Sequence, residues 1–268
     1  MDANLRTPIS YYGGKQSMLK SILPLMPEHR IYCEPFFGGG AVFWAKKPAK
    51  REYINDYNGM VVNFYEQIKS NFQKLKKIID ATPFSRDLYR NALIIYENPH
   101  IFKPVRKAWA FWVATNCGFN NQIGNLSTSE KRPNSVANKR KEFNKELSDR
   151  LDKVFIENID AIEIIRRVDD KNAFFYIDPP YVGANQGHYG GYTQEHFNQL
   201  LECLSKIKGK FMLSSYPNDQ LSQYIKDFDW KTDDKELNLT AGGSSEKKKT
   251  ECLTMNYNIH QNTLFVIY

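Results

Sequence analysis

Long apolar runs are absent from this 268-residue chain. None approaches the roughly 20 residues that a bilayer-spanning helix needs, so no membrane segment is expected. The opening residues, MDANLRTPIS, lack the apolar core of a secretory signal, so no export is expected either. Cysteine is scarce. Cys33, Cys117, Cys203 and Cys252 stand apart with no CxxC pair. That argues against a zinc site and a disulfide framework, and it points to a reducing cytoplasm with no metal bound. No internal repeat or low-complexity tract is present, which excludes solenoids and linker-rich arrays.

What is there is a mixed, basic composition. Hydrophobic residues make up 41% of the chain, enough for a sizeable core and too many for global disorder. The formal charge is +7. A surplus of that size fits a polyanionic partner and fits equally well a lysine-rich solubilising surface. Its distribution is uneven: Lys131, Arg132, Lys139, Arg140, Lys141, Lys145 and Arg150 crowd one stretch, and Lys247 to Lys249 form a second run.

Periodicity predicts alternating elements. Short helices are expected over Ser17–Leu25 and Ala41–Lys46, and a long one over Gly59–Ile79 with apolar residues at helical spacing. Strands are expected at Arg30–Glu34, Glu52–Ile54, Lys153–Ile156, Ala173–Ile177, Lys210–Ser214 and Glu251–Asn256, with helices at Ile159–Val168, Glu195–Ile207 and Gln220–Lys226. Between Ser85 and Asp152 the texture becomes helical, over Ser85–Tyr96 and Val105–Thr115, followed by an Asn- and Ser-rich loop from Asn120 to Asn138. The alternation implies an α/β layered sheet with crossovers and a mainly helical insert.

Polar clusters fall at the predicted strand ends, where open α/β sheets bind ligands. Glu34-Pro35-Phe36-Phe37-Gly38-Gly39-Gly40 offers glycines for close backbone approach and a helix start behind them. It is not a dinucleotide fingerprint, because Phe43 occupies the third glycine position; a plain glycine turn is the alternative. Asn55-Asp56 could accept ribose hydroxyls or cap the next helix. Tyr11-Tyr12-Gly13-Gly14-Lys15 is superficially like a phosphate loop, but Ile9 stands where the distant glycine would be, so phosphoryl transfer is not supported. Asp178-Pro179-Pro180-Tyr181 follows the apolar run Phe174 to Ile177, and its prolines must end that strand.

Taken together in this order, Tyr-Gly-Gly-Lys, the glycine loop and Asp-Pro-Pro-Tyr resemble the Dam-like DNA adenine methyltransferases, in which the glycine loop precedes a recognition insert and Asp-Pro-Pro-Tyr follows it. Further echoes are Ala108 to Asn121, Gly190 to Leu200, Lys210 to Pro217 and Thr250 to Tyr257. The resemblance implies a Rossmann-like methyltransferase sheet, mixed but mostly parallel, with helices on both faces. It divides the chain into a catalytic domain of residues 1–63 and 151–268 and a target-recognition insert of residues 64–150. The implied cofactor is S-adenosyl-L-methionine, held by Tyr11, Tyr12, Gly13, Gly14, Lys15, Glu34, Pro35, Phe36, Phe37, Gly38, Gly40, Asp56, Asn158, Ile159 and Asp178. Lys15 would lie near the methionine carboxylate or near the catalytic one. Asp160 reads equally as a helix N-cap.

The implied partner is double-stranded DNA, with a cognate restriction endonuclease as a further candidate and a monomer as the expected state. The implied chemistry gives Asp-Pro-Pro-Tyr a purpose. The adenine amine is a weak nucleophile, and Asp178 and the Pro179 carbonyl can accept its two N–H bonds as it gains charge. Pro180 stiffens that corner and Tyr181 offers a ring for stacking. A base within a duplex must be flipped out to reach it, and Gly183, Gly187, His188, Tyr189, Gly190, Gly191 and Tyr192 form a loop that could close over it. In the insert, Asn116, Asn120, Asn121 and Gln122 have amides suited to adenine edges, and Arg132 suits guanine. Lys139, Arg140 and Lys141 look like phosphate contacts, with Lys131 and Asn134 also assigned to DNA; the alternative is a solvated helix face. The turn at Asn120 to Asn125 lacks the arginine of GATC-reading members, so that specificity is not carried over. Rival readings are cytosine-N4 methylation, where Ser more often replaces the aspartate, RNA or protein amide methylation, where Asn stands there, and a DNA-binding module without catalysis. The intact Asp178 and glycine loop argue against the last.

Overall fold

The structure is a computed structural model that describes residues 5–119, 122–182, 191–238 and 248–258. Its centre is a seven-stranded sheet. In chain order the strands are β1 (Ile31–Glu34), β2 (Arg51–Asn55), β3 (Val154–Glu157), β4 (Ala173–Ile177), β5 (Lys210–Ser215), β6 (Lys231–Asn238) and β7 (Lys248–Met255). They lie in the order β3-β2-β1-β4-β5-β7-β6. All pairings among β1 to β5 are parallel, while β7 runs antiparallel to both β5 and β6. The mixed, mostly parallel sheet expected from the resemblance is therefore present.

The helices are α1 (Leu19–Ile22), α2 (Ala41–Ala45), α3 (Gly59–Ser70), α4 (Phe72–Asp80), α5 (Arg86–Glu97), α6 (Pro104–Cys117), α7 (Arg132–Glu142), α8 (Lys145–Leu151), α9 (Ala161–Val168), α10 (Gln194–Leu204) and α11 (Asp219–Asp227). They cover both faces of the sheet, and β4 shows why. Every residue of Ala-Phe-Phe-Tyr-Ile is buried, as a parallel strand covered on both sides requires. Phe174 and Tyr176 join the core beneath α2 to α8, whereas Phe175 and Ile177 join the core beneath α9, α10 and α11. The two-residue side-chain period thus feeds two cores from one strand.

Locally the structure departs from the sequence reading in several places. The long helix over Gly59–Ile79 is two helices, because Asn71 leaves helical geometry (φ −131°, ψ 29°) and its side-chain amide donates to Gln67 Oε1 at 2.8 Å. The polar loop through Asn138 ends earlier, since α7 begins at Arg132 with a proline in its first turn. α8 follows it, capped by the Asn144 side chain. β6 was not expected, because an edge strand reading Lys-Thr-Asp-Asp-Lys-Glu-Leu-Asn carries the charges that keep an edge from pairing further. The boundary expected after residue 63 falls inside α3, which packs on α6 and α8 within the same core as the sheet. Among the described residues, 64–150 form helices and one isolated bridge, Gly118 with Leu126.

The strand order reverses between β1 and β4. From β1 the chain moves outward to β2 and β3, then returns to the other side at β4. Such a switch leaves a crevice beyond the carboxyl ends of the two strands. The glycine loop leaves β1 there, and Asp178-Pro179-Pro180-Tyr181 leaves β4 beside it.

Candidate active site

At this switch point lies a cavity of about 410 Å³. Its walls are the Tyr11–Lys15 turn, Glu34 with the glycine loop, and the corner from Asp178 to Tyr181. The glycine loop is held from beneath. The Gly38 peptide donates its N–H to Asp56 Oδ2 at 2.8 Å, and its carbonyl accepts from the Tyr65 hydroxyl at 2.9 Å. Gly40 has φ 64°, and a Cβ there would come within 2.3 Å of the Phe37 ring. No other residue turns the chain from loop into α2 at that point without strain. Phe37 itself is wedged edge-on against Phe43 and Tyr65.

On the opposite wall is a buried cluster of charge. Lys15 Nζ lies 2.8 Å from Asp178 Oδ1 and 3.5 Å from Glu251 Oε1, and it donates to the Gly13 carbonyl at 3.0 Å. Burial alone would discharge the Lys15 ammonium, but the two carboxylates outweigh it and raise its pKa. Burial raises the pKa of Asp178 from its ordinary value, with Lys15 opposing the rise and Glu251 adding to it. The Asp178 side chain is still 20% exposed, and that face opens on the cavity. The Tyr181 hydroxyl donates to Glu251 Oε1 at 2.8 Å and lies 2.8 Å from Ser214 Oγ, which itself donates to Glu251. The Tyr181 ring meets Tyr216 edge-on at 4.4 Å, and Lys15 Nζ stands 5.0 Å from its centre. Across the cavity, burial pushes Glu34 up to about 8, although the Tyr32 hydroxyl and the Phe43 backbone bond to it.

The structure brings Tyr11, Tyr12, Gly13, Gly14, Lys15, Glu34, Phe36, Phe37, Gly38, Gly40, Asp178, Pro179, Pro180 and Tyr181 to this one cavity, as the sequence suggested. Pro35, Asp56, Asn158 and Ile159 do not line it. Asp56 is buried, and besides Gly38 it receives the Asn58 N–H at 2.8 Å. In this structure both its oxygens accept backbone N–H groups, and the cap of α3 is Asn58. The Asn158 amide donates to the Asp56 carbonyl, and the Ile159 N–H donates to the Asn55 side chain. These residues brace the loops below the cavity. Asp160 is the N-cap of α9, accepting from Ile162 and Glu163.

The basic insert residues divide. Lys139 donates to the Thr7 carbonyl, Arg140 to the Thr82 carbonyl at 2.7 Å, and Arg132 to the Asn116 carbonyl at 3.4 Å. Expected on DNA, these three hold backbone carbonyls in this structure, and Lys139 also lines the cleft beside Lys131. Asn116 is buried between Ser10 and Pro8 and reads no base edge from there. Arg150 is also turned inward, onto Glu52. Lys131, Asn134 and Lys141 are exposed, and Gln122 is half-buried. Lys131 and Asn134 line a cleft of about 750 Å³ between α7 and the Tyr11 turn, which adjoins the cavity across Tyr11, Gly14 and Gly39. Asn120 and Asn121 lie outside the described residues, as do Gly183 to Gly190 of the expected closing loop and Lys247. Gly191 and Tyr192 are described, and Tyr192 packs edge-on against Phe36.

Sequence reasoning missed Glu251, Ser214 and Tyr216. The signal was a lone acid in the otherwise apolar strand segment Glu-Cys-Leu-Thr-Met, where β7 crosses beneath the site.

Residues 11–238 match the family of D12 class N6 adenine-specific DNA methyltransferases. Type II methyltransferase M1.LlaDCHI of Lactococcus lactis subsp. cremoris is 29% identical, with 95% of this chain and 96% of that protein aligned. Type II methyltransferase M.MjaIII of Methanocaldococcus jannaschii is 25% identical over 93% of this chain and 98% of that protein. Modification methylase StsI of Streptococcus sanguinis is 23% identical over 94% of this chain, which spans 43% of that longer protein.

Proposed function

Because the chain belongs to the D12 class of N6 adenine-specific DNA methyltransferases, we propose that it moves a methyl group from S-adenosyl-L-methionine to the exocyclic amine of an adenine extruded from double-stranded DNA, at the corner formed by Asp178 to Tyr181. The observation that carries this reading is the meeting of that corner with the glycine loop at one switch-point cavity.

The cavity fits the cofactor by size and by charge. Its volume lies within the range of small-molecule sites. The cofactor, when bound, supplies an electrophilic methyl on a cationic sulfonium. Glu34, held up at about 8 by burial, would return to its ionised form beside such a cation. Asp56, Asn158 and Ile159 enter the proposal as braces of the loop, not as ligands.

Asp178 would accept one N–H of the adenine amine and the Pro179 carbonyl the other. Both acceptors stabilise the positive charge that grows on the nitrogen as the new bond forms. Lys15, 2.8 Å from Asp178, favours its ionised form against the rise that burial imposes. Once the methyl group is attached, the extra proton on nitrogen is acidic, so Asp178 need not be a strong base. The closed prolines hold the carbonyl in place, and Tyr181 presents its ring beside it. Lys131 and Asn134, along the adjoining cleft, would track the phosphates of the duplex.

The test is incubation of unmethylated DNA with isotope-labelled S-adenosyl-L-methionine, followed by nucleoside mass spectrometry. Label in N6-methyladenine supports the reading. Label in N4-methylcytosine, or DNA binding without label, sinks it. Single-molecule sequencing of the same DNA gives the recognition site.

A further inference from the structure

One buried acid beside the proposed corner has no role in the chemistry just described. Glu251 is 3% exposed and stands in the middle of β7, antiparallel to β5. A carboxylate there is costly unless every charge is matched and every lone pair used. Its partners are all parts of the site: the ammonium of Lys15 at 3.5 Å, the hydroxyl of Tyr181 at 2.8 Å and the hydroxyl of Ser214. Both Lys15 and Tyr181 in turn touch the Asp178 corner. The other titratable groups facing this cluster and its cavity are Glu34 from β1, Tyr176 from β4, Tyr216 beside the Tyr181 ring, and Tyr11 and Tyr12 from the N-terminal turn.

We propose that Glu251 is a positioning residue for the methyl transfer: it shares Lys15 with Asp178 and anchors the Tyr181 hydroxyl, so that one Asp178 oxygen stays open to the adenine amine and the Tyr181 ring stands at a fixed angle. This rests on the assignment of Asp178 and Tyr181 above. The physical argument is one of valence. A lysine paired with Asp178 alone would aim its donors at that carboxylate and compete with the substrate amine for its oxygens. A second carboxylate on the far side draws part of that ammonium away while keeping it protonated. The same oxygen of Glu251 holds Tyr181 by its hydroxyl, and an aromatic ring fixed at both ends has no rotamer left to lose when a base stacks on it. Ser214 closes this knot, donating to Glu251 and lying 2.8 Å from the Tyr181 hydroxyl.

The experiment is the steady-state pH profile of Glu251→Gln, which is nearly isosteric and keeps a hydrogen-bond acceptor for Tyr181. The predicted result is a kcat lower by roughly 10- to 100-fold, the effect of a small misplacement of reacting groups, with KM for DNA within about threefold of the parent. Both limbs of the profile should move to lower pH, because the lost negative charge no longer supports the ammonium of Lys15 and no longer repels ionisation of Asp178. A role confined to packing would lower the melting temperature and leave the limbs where they are. Unchanged kcat and unchanged limbs overturn the inference. Asp178→Ala is run beside it: methylation surviving in that variant removes the site assignment and this inference together, whereas an inactive Asp178→Ala with a parental Glu251→Gln removes this inference alone. If Glu251→Gln does not fold, Tyr181→Phe carries the test, since it keeps the ring and deletes its tether. A kcat down about tenfold supports the tether, and a parental kcat overturns it.

Discussion

Two clusters of buried charge are built on the same sheet, and they are balanced in opposite senses. At the outer side, Lys46 and Arg150 both converge on Glu52, with Arg150 Nη2 at 3.0 Å and the Arg150 guanidinium 3.8 Å above the Phe43 ring. At the switch point, one cation, Lys15, serves two carboxylates, Asp178 and Glu251. The first cluster joins α8 to β2 and opens on no cavity among those described. It ties the returning end of the insert to the sheet. The second is short of positive charge and opens on a cavity, with Glu34 facing it from β1. A structural cluster closes its own balance. A functional one keeps an imbalance, and under the proposed function its sign suits a sulfonium and an amine that becomes positive during transfer.

The comparison can be broken most sharply at Asp178. Asp178→Ala should lower methyl transfer by at least about 1000-fold, the scale of a lost transition-state acceptor, while the melting temperature stays within a few degrees. Label-transfer kinetics and a thermal melt decide it, and full activity would break the assignment. Glu52→Ala should do the converse. It leaves Lys46 and Arg150 buried without a counter-charge, and urea titration should show a loss of about 3–5 kcal/mol.

Glu34 gives an effect of intermediate size and a clear sign. Its folded-state pKa, about 8, is raised above its usual value of 4.5. Between those values the folded protein holds a proton that the unfolded chain has released, so stability falls as pH rises from about 4.5 to about 8 and levels off above. Glu34→Gln should remove this component of the slope, by several kcal/mol across the window, in melts of the ligand-free protein; a slope identical in both proteins contradicts the assignment. The smallest effects separate the two kinds of basic residue in α7. Lys131→Ala should reduce the salt dependence of DNA binding by about one unit of slope and leave the melting temperature unchanged. Arg140→Ala should instead cost about 1–3 kcal/mol of stability, by leaving the Thr82 carbonyl unpaired.

The legible parts of this molecule were those where local sequence and local environment agree. β4 reads as a buried strand from five consecutive apolar residues, and its abrupt end in Asp178 and two prolines marks the corner. The glycine loop announces itself because Gly40 occupies a backbone region that other residues avoid. What stayed hidden depended on distant neighbours. α7 fully buries Val136 alone and so carries almost no apolar period; Lys139 and Arg140 tie it to carbonyls far along the chain. The same contacts tie part of the dense basic stretch to backbone carbonyls, which charge density alone does not reveal. Asp56 looked like a ribose acceptor because it follows a strand end, but the Gly38 peptide that occupies it belongs to another strand's loop. Glu251 was hidden because a single acid in an apolar strand gives no hint of its partners until β7 is laid against β5.

Under the proposed function, the unbalanced negative charge of the switch-point cavity is completed by a cationic methyl donor. Calorimetric titration of S-adenosyl-L-methionine near pH 7, repeated in buffers of different ionisation enthalpy, tests it most directly. Binding should release protons as Glu34 ionises beside the cation, and the release should disappear in Glu34→Gln. Binding with no proton release, or with release that persists in that variant, would contradict it.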